Sequence, residues 1–248
     1  MSGHSHWATI KHKKAAVDIK RGKLWSKLAR NIIVAAKSGG GDPKENLSLR
    51  YAIDKAKEAN MPRDTIDKAI KKGTGELGGV NYEEVVYEGY GPAGVAIMCL
   101  ALTDNRNRTA GEIRKAFDSR GGSLGASGCV SWMFKKMGVF TVDAAAVEEE
   151  KLMEVALEAG AEDVQKNDSV FEITSRPEDF ETIKKALEEK QIPVQSSEIA
   201  QVPATYITLN QEIAKRVLEL MEMLEDHEDV QNVYANFDIP QEIMEKLG

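Results

Sequence analysis

Three of the chain's four histidines, a tryptophan and three lysines fall within its opening fourteen residues, MSGHSHWATIKHKK. Metal binding, catalysis and anion binding could each use such a set. If Met1 is removed, Ser2-Gly3-His4 presents an amine, two amide nitrogens and an imidazole, the square-planar donor set that Cu(II) and Ni(II) favour. Any peptide of that form takes copper, whatever its purpose. His4, His6 and His12 also lack cysteine or carboxylate companions at zinc spacing. No metal and no other cofactor is expected.

Catalysis fares no better. A nucleophilic site needs Ser or Cys with a base that can reach it, and the one histidine beyond the leader is His227, in an acidic helix end. In DNRNR (104–108), Asp104 and Asn105 read as loop residues bonding the backbone, with Arg106 and Arg108 solvated. GGSLGASG (121–128) suggests a phosphate cradle, but it lacks the Gly-Lys-Ser/Thr ending and no helix is predicted to follow. The chain does not read as an enzyme.

Anion binding has the strongest physical case. Lys11, Lys13, Lys14, Lys20, Lys23, Lys27 and Arg30 supply charges that displace counterions from a phosphate backbone. His12 lies among them. Trp7 has two uses that bury its ring equally well, stacking on an unpaired base or fastening the arm to a helical core. Seventeen of the 33 Lys/Arg but only eight of the 40 Asp/Glu lie in residues 1–80, which leaves +9 there and −16 beyond. So sharp a division points to a polyanionic partner, DNA or structured RNA. The leader is too polar for an export signal, and no apolar run approaches the roughly 18 residues of a membrane span. Two lone thiols, Cys99 and Cys129, fit a reducing interior. A cytoplasmic location, with no membrane partner, is expected.

Periodicity supplies the elements that carry these groups. Over Asp18–Lys37, residues Leu24, Trp25, Leu28, Ile32 and Ala36 share one helical face, and Lys20, Lys23, Lys27, Arg30 and Lys37 the other. Asp42 and Glu45 form a capping box around Pro43 for a second helix bearing Leu47, Leu49, Ile53 and Ala56. A third helix turns Ile66, Ala69 and Ile70 inward and is capped by Gly73. EEVVYEGY and GVAIMCLALT then make a hairpin. Thr109 and Glu112 form a further capping box, opening a helix with Ile113, Ala116 and Phe117 inward and Gly121 beyond its end. CVSWMF reads as a strand. The stretch 137–201 has the order β-α-β-β-α-β, the ferredoxin-like plan. The unit before it lacks a strand, a helix and a strand, which reappear later as ATYITL, Gln211–Leu224 and VQNVYANFDI.

The fold class expected is therefore α+β: an N-terminal three-helix bundle, then two ferredoxin-like α/β domains, one inserted into the other. The domains are 1–80, a split domain 81–134 plus 205–248, and an inserted domain 135–204. The tetrapeptide EDVQ occurs at 162–165 and again at 228–231, each time between a helix and a strand, a weak hint of duplication.

GHSHWATIKHKKAAVDIKRGKLWSKL, NMPRDTIDKAIKKG, YEGYGPAG, TDNRNRT, GGSLGASGCVSWMF and GAEDV together resemble the YebC family of bacterial proteins and their mitochondrial relatives. His6 stands where many members have lysine, and Ser123 where asparagine is usual. The resemblance implies a helical domain and two α/β domains, and a role in gene expression. Members are described as DNA-binding transcriptional regulators, and some relatives as translation activators that act at the ribosome on proline-rich stretches. The family has no agreed binding residues to carry over. Two readings follow: a DNA-binding regulator working through the basic arm and helix, or a ribosome-associated factor whose arm enters rRNA or tRNA. In either, the α/β domains are left for protein partners or a dimer.

Overall fold

The apolar spacing of residues 25–36 drives the first helix, α1 (Ile19–Gly39). A computed structural model describes residues 19–78, 81–167 and 169–247, with 19–21, 241 and 245 described by backbone alone. Ile32, Ile33 and Ala36 are buried in α1, with Trp25, Leu28 and Ala29 packed beside them. The buried stripe thus runs one position further round than the sequence pattern implies, and it leaves Leu24 exposed. Trp25 donates its indole N–H to the Ala59 carbonyl at 3.0 Å.

Helix α2 (Leu47–Glu58) starts later than expected. Asp42 bonds the Lys44 amide at 2.8 Å and only closes a turn. The cap is Asn46, whose Oδ1 accepts from the Leu49 amide at 3.0 Å while its Nδ2 donates to the Ala35 and Gly40 carbonyls. Three bonds from one amide side chain outweigh the local capping box, and Leu47, at the first turn, is left exposed. Helix α3 (Arg63–Gly73) buries Ile66 and Ala69. Gly73 is its last residue and not its left-handed cap. A Cβ there would lie 2.6 Å from both the Ile33 carbonyl oxygen and the Ala36 Cβ, so glycine is needed for close approach to α1.

Strands β1 (Glu83–Tyr90) and β2 (Ala96–Thr103) form the expected antiparallel hairpin, Glu83 opposite Thr103 and Tyr90 opposite Ala96. Helix α4 (Arg106–Ser119) follows, burying Ile113, Ala116 and Phe117 as anticipated, and Gly121 lies beyond its end with φ +76°. β3 (Ser123–Leu124) pairs with β1. CVSWMF is mostly not a strand. Residues Ser131–Met133 form a 3-10 turn, closed by the Met133 amide on the Val130 carbonyl.

The β-α-β-β-α-β order is present as β4 (Phe134–Asp143), α5 (Glu149–Glu158), β5 (Ala161–Asn167), β6 (Val170–Ser175), α6 (Phe180–Glu189) and β7 (Val194–Pro203). The sheet runs β5-β6-β4-β7, all neighbours antiparallel, which is the ferredoxin-like strand order. Phe140, Phe171, Ile173, Leu152, Ile183 and Leu187 fill its core.

After it come β8 (Ile207–Thr208), α7 (Gln211–Asp226), β9 (Val230–Ala235), β10 (Phe237–Asp238) and α8 (Gln241–Leu247). The other four-stranded sheet runs β3-β1-β2-β9. ATYITL therefore does not complete it. β8 pairs in parallel with β10, because the Ile207 and Leu209 amides reach the Asn236 and Asp238 carbonyls. The chain is α+β. It forms two compact units, one from Ala15–Ser127 and Arg216–Val233, the other including Gly128–Lys215 and Tyr234–Gly248. Among the described residues, no helix is long and apolar enough to cross a membrane.

Candidate functional site

The end of β2 and the start of α4 converge on the segment before β9. The Leu102 amide donates to the Asp229 carbonyl at 2.8 Å, which draws residues 226–229 alongside TDNRNRT. Asn105 caps α4, accepting from the Arg108 amide at 3.1 Å. Thr109 is thus not the cap. It sits one turn inside the helix, fully buried, and its hydroxyl donates to Asp229 Oδ2 at 2.7 Å. Thr103 Oγ1 lies 2.7 Å from Thr109 Oγ1 and 3.2 Å from Asp229 Oδ2.

Two arginines complete the shell of Asp229. Arg108 Nη2 donates to Asp229 Oδ2 at 2.7 Å and to Asp104 Oδ1 at 3.0 Å, so it is not the solvated side chain expected from the sequence. Arg30 Nη2 lies 3.3 Å from Asp229 Oδ1 and 3.6 Å from Glu228 Oε2. The Asp229 side chain is only 3% exposed. Burial pushes its carboxyl up, but the hydrogen bonds from Thr109 and Arg108 and the charges of Arg30 and Arg108 outweigh burial and hold it below the ordinary carboxylate value. The same contact raises Arg108. A buried carboxylate with this many charge-assisted donors stays ionised.

Two lysines of the α1 basic face meet the same segment. Lys23 Nζ lies 3.6 Å from Asp226, and Lys27 Nζ donates to the Glu225 carbonyl. That carbonyl is in the last turn of α7, where unpaired C=O groups and the helix dipole both favour a cation. His227 closes one side. Its Nδ1 accepts from the Asp229 amide at 3.1 Å, which leaves the proton on Nε2, 2.8 Å from Glu112 Oε2. A cleft of about 520 Å³ lies among Arg30, Tyr82, Asp104, Arg108, Glu112 and the 226–229 segment. No group of three metal-capable side chains occurs among the described residues.

Of the residues singled out from the sequence, the structure brings Lys23, Lys27 and Arg30 together on one face, each against an acidic or carbonyl partner. Lys20 lies on α1, its side chain outside the described residues, as are Trp7, Lys11, His12, Lys13 and Lys14 in full. Asp229, Thr109 and Arg108 were missed as a unit. The signal available was the run EDHED (225–229), an acidic cluster opposite in charge to the basic stripe of α1.

Two family models match: the TACO1/YebC protein N-terminal domain over residues 5–76, and the TACO1/YebC second and third domain over residues 82–237. The chain belongs to the TACO1/YebC family. It is 57% identical over 248 residues to a probable transcriptional regulatory protein of Natranaerobius thermophilus, covering 99% of each chain. It is 55% identical over 247 residues to one from Geobacter sulfurreducens, covering 100% of each. Among solved structures it resembles a conserved hypothetical protein of Aquifex aeolicus, with a TM-score of 0.85 and 52% identity over 96% of this chain and 99% of that one.

Proposed function

We propose that the chain is a non-enzymatic, nucleic-acid-binding regulator of gene expression, most directly a DNA-binding transcriptional regulator. Its nucleic-acid contacts come from the arm, with Lys11, Lys13 and Lys14 on phosphates beside His12 and Trp7 stacked on a base, and from Lys20, Lys23, Lys27 and Arg30 of α1. One observation carries the reading. The α1 face holds a row of anionic partners, Asp226, Glu228 and Asp229, spaced along its length. A surface that gathers carboxylates in this way presents the same charges to phosphates. The names of the relatives support regulation of transcription as the setting. Both ring nitrogens of His227 are occupied, by Glu112 and by the Asp229 amide, which supports a role without general-base catalysis.

The internal carboxylates compete with phosphate for Lys23 and Arg30. They are held on the same chain, so their effective concentration is high. Replacing Asp226 and Glu228 with Asn and Gln in the whole protein should therefore tighten binding to DNA. Reversing Lys20, Lys23 and Lys27 to Glu should weaken it alike for every sequence, because phosphate contacts carry no base information. The deciding experiment compares a promoter-DNA mobility shift with co-sedimentation on ribosomes in the same salt. Ribosome binding without a DNA shift would reassign the protein to the translation apparatus.

A further inference from the structure

The nucleic-acid reading above, on which this inference rests, places the contact on α1. The structure supplies a second basic surface on the neighbouring helix. Lys68, Lys71 and Lys72 lie in the last two turns of α3 and are exposed. None of the three forms an ion pair among the described residues, and the two acidic groups of α3 are placed elsewhere. Asp67 pairs with Arg63 at 3.9 Å, and Asp64 is in the first turn. Glu76, just past the helix, is held by the Thr74 hydroxyl at 2.9 Å and not by a lysine. The contrast with α1 is direct: Lys23, Lys27 and Arg30 already have partners, and the Arg30 side chain is only 14% exposed.

Counterion release rewards cations that are solvated and unpaired in the free protein. A lysine that must first leave a carboxylate gains less from a phosphate. We infer that Lys68, Lys71 and Lys72 form the surface on which the intact chain first engages a phosphodiester backbone, with α1 joining only after residues 225–229 are displaced. Spacing supports one shared footprint, since positions i, i+3 and i+4 adjoin on a helix surface. The backbone supports it too. Gly73 lets α3 pack directly on α1, which holds the two basic surfaces on one rigid helical frame.

A bland use of these lysines exists, because cations at a helix C-terminus offset its dipole. The test separates the two uses. Full-length protein carrying Lys68→Gln, Lys71→Gln and Lys72→Gln is compared with wild type and with a Lys23→Gln, Lys27→Gln variant. Each is titrated with salt on a labelled DNA duplex and on a structured RNA, and the melting temperature of each is recorded. On duplex, losing three contacts should flatten the slope of log affinity against log salt by roughly 2.7. The α1 pair should flatten it by less. The duplex and RNA arms identify which polymer supplies the phosphates.

An unchanged slope in the α3 variant, with wild-type protein still binding, would overturn the inference and leave the functional reading standing. So would a lowered melting temperature with unchanged slope, the outcome the dipole use implies. Failure of wild-type protein to bind either polymer would overturn both.

Discussion

The tetrapeptide EDVQ occurs twice, once inside β5 shortly after α5 and once where α7 gives way to β9, and the two aspartates meet opposite fates. At 162–165 the aspartate is exposed. Among the described residues Asp163 bonds only its near neighbours, the Val164 amide at 2.9 Å and the Gln165 amide group at 2.7 Å. At 228–231 the same residue, Asp229, is buried among Thr103, Thr109, Arg108 and Arg30, drawn from three other elements. In both, a strand follows a helix within a few residues. What approaches from elsewhere in the chain decides whether the carboxylate is a surface group or the hub of a site.

The largest effect that could break this comparison concerns whole fragments. Residues 134–204 contain all four strands and both helices around Asp163, and should show a cooperative urea transition alone. Residues 81–134 lack β9 and the Asp229 segment and should not. Cooperative unfolding of the shorter fragment would mean that the hub is dispensable to its sheet.

Next in size is the aspartate itself. Asp229→Asn leaves the largely covered Arg30 without its full counter-charge and should cost about 3 kcal/mol, the low end for a broken buried pair because Arg30 is partly and Arg108 half exposed. Asp163→Asn should stay within about 0.5 kcal/mol. Urea titration of both variants measures the contrast. Because the folded Asp229 carboxyl lies below its ordinary value, its contribution is present above the carboxylate range and is lost as pH falls through that lowered value. The stability gap between wild type and Asp229→Asn should therefore hold at neutral pH and shrink below about pH 4. A constant gap would mean that geometry, and not charge, accounts for it.

Smaller still are the groups that orient the hub. Thr109→Ala removes a buried hydroxyl bonded to a carboxylate, worth about 1.5–3 kcal/mol, and Thr109→Ser should restore much of it. Asn105→Ala removes only a cap, about 1 kcal/mol. If the cap variant proves the more harmful of the two, α4 is held by its end and not by Asp229.

Elements whose signal is local were legible in the sequence: the amphipathic spans of α1 to α3, the β1–β2 hairpin, and the β-α-β-β-α-β order. Choices between chemically equivalent neighbours were not. Asp42 and Asn46 both qualify as caps, and bonds to Ala35 and Gly40 settle the matter from outside the helix. Thr109 has the type and spacing of a capping-box residue, yet a carboxylate 120 positions away claims its hydroxyl. β8 carries good strand residues but pairs with β10, which no alternation pattern reveals. The basic stripe of α1 was visible as charge. That its counter-charges come from EDHED became visible only once the chain was folded.

His227 gives the site a native spectroscopic reporter. The other three histidines all lie at positions 4, 6 and 12, so a ring resonance from His227 is separable by substituting those three alone. Its ring is pinned to one tautomer by the Asp229 amide on Nδ1 and Glu112 beyond Nε2. In a long-range nitrogen–proton NMR spectrum that tautomer has its own pattern, distinct from the averaged signal of a free imidazole. Titrating unlabelled DNA or RNA into the labelled protein would then show, residue in hand, whether the 226–229 segment lets go of α1 when a polyanion arrives.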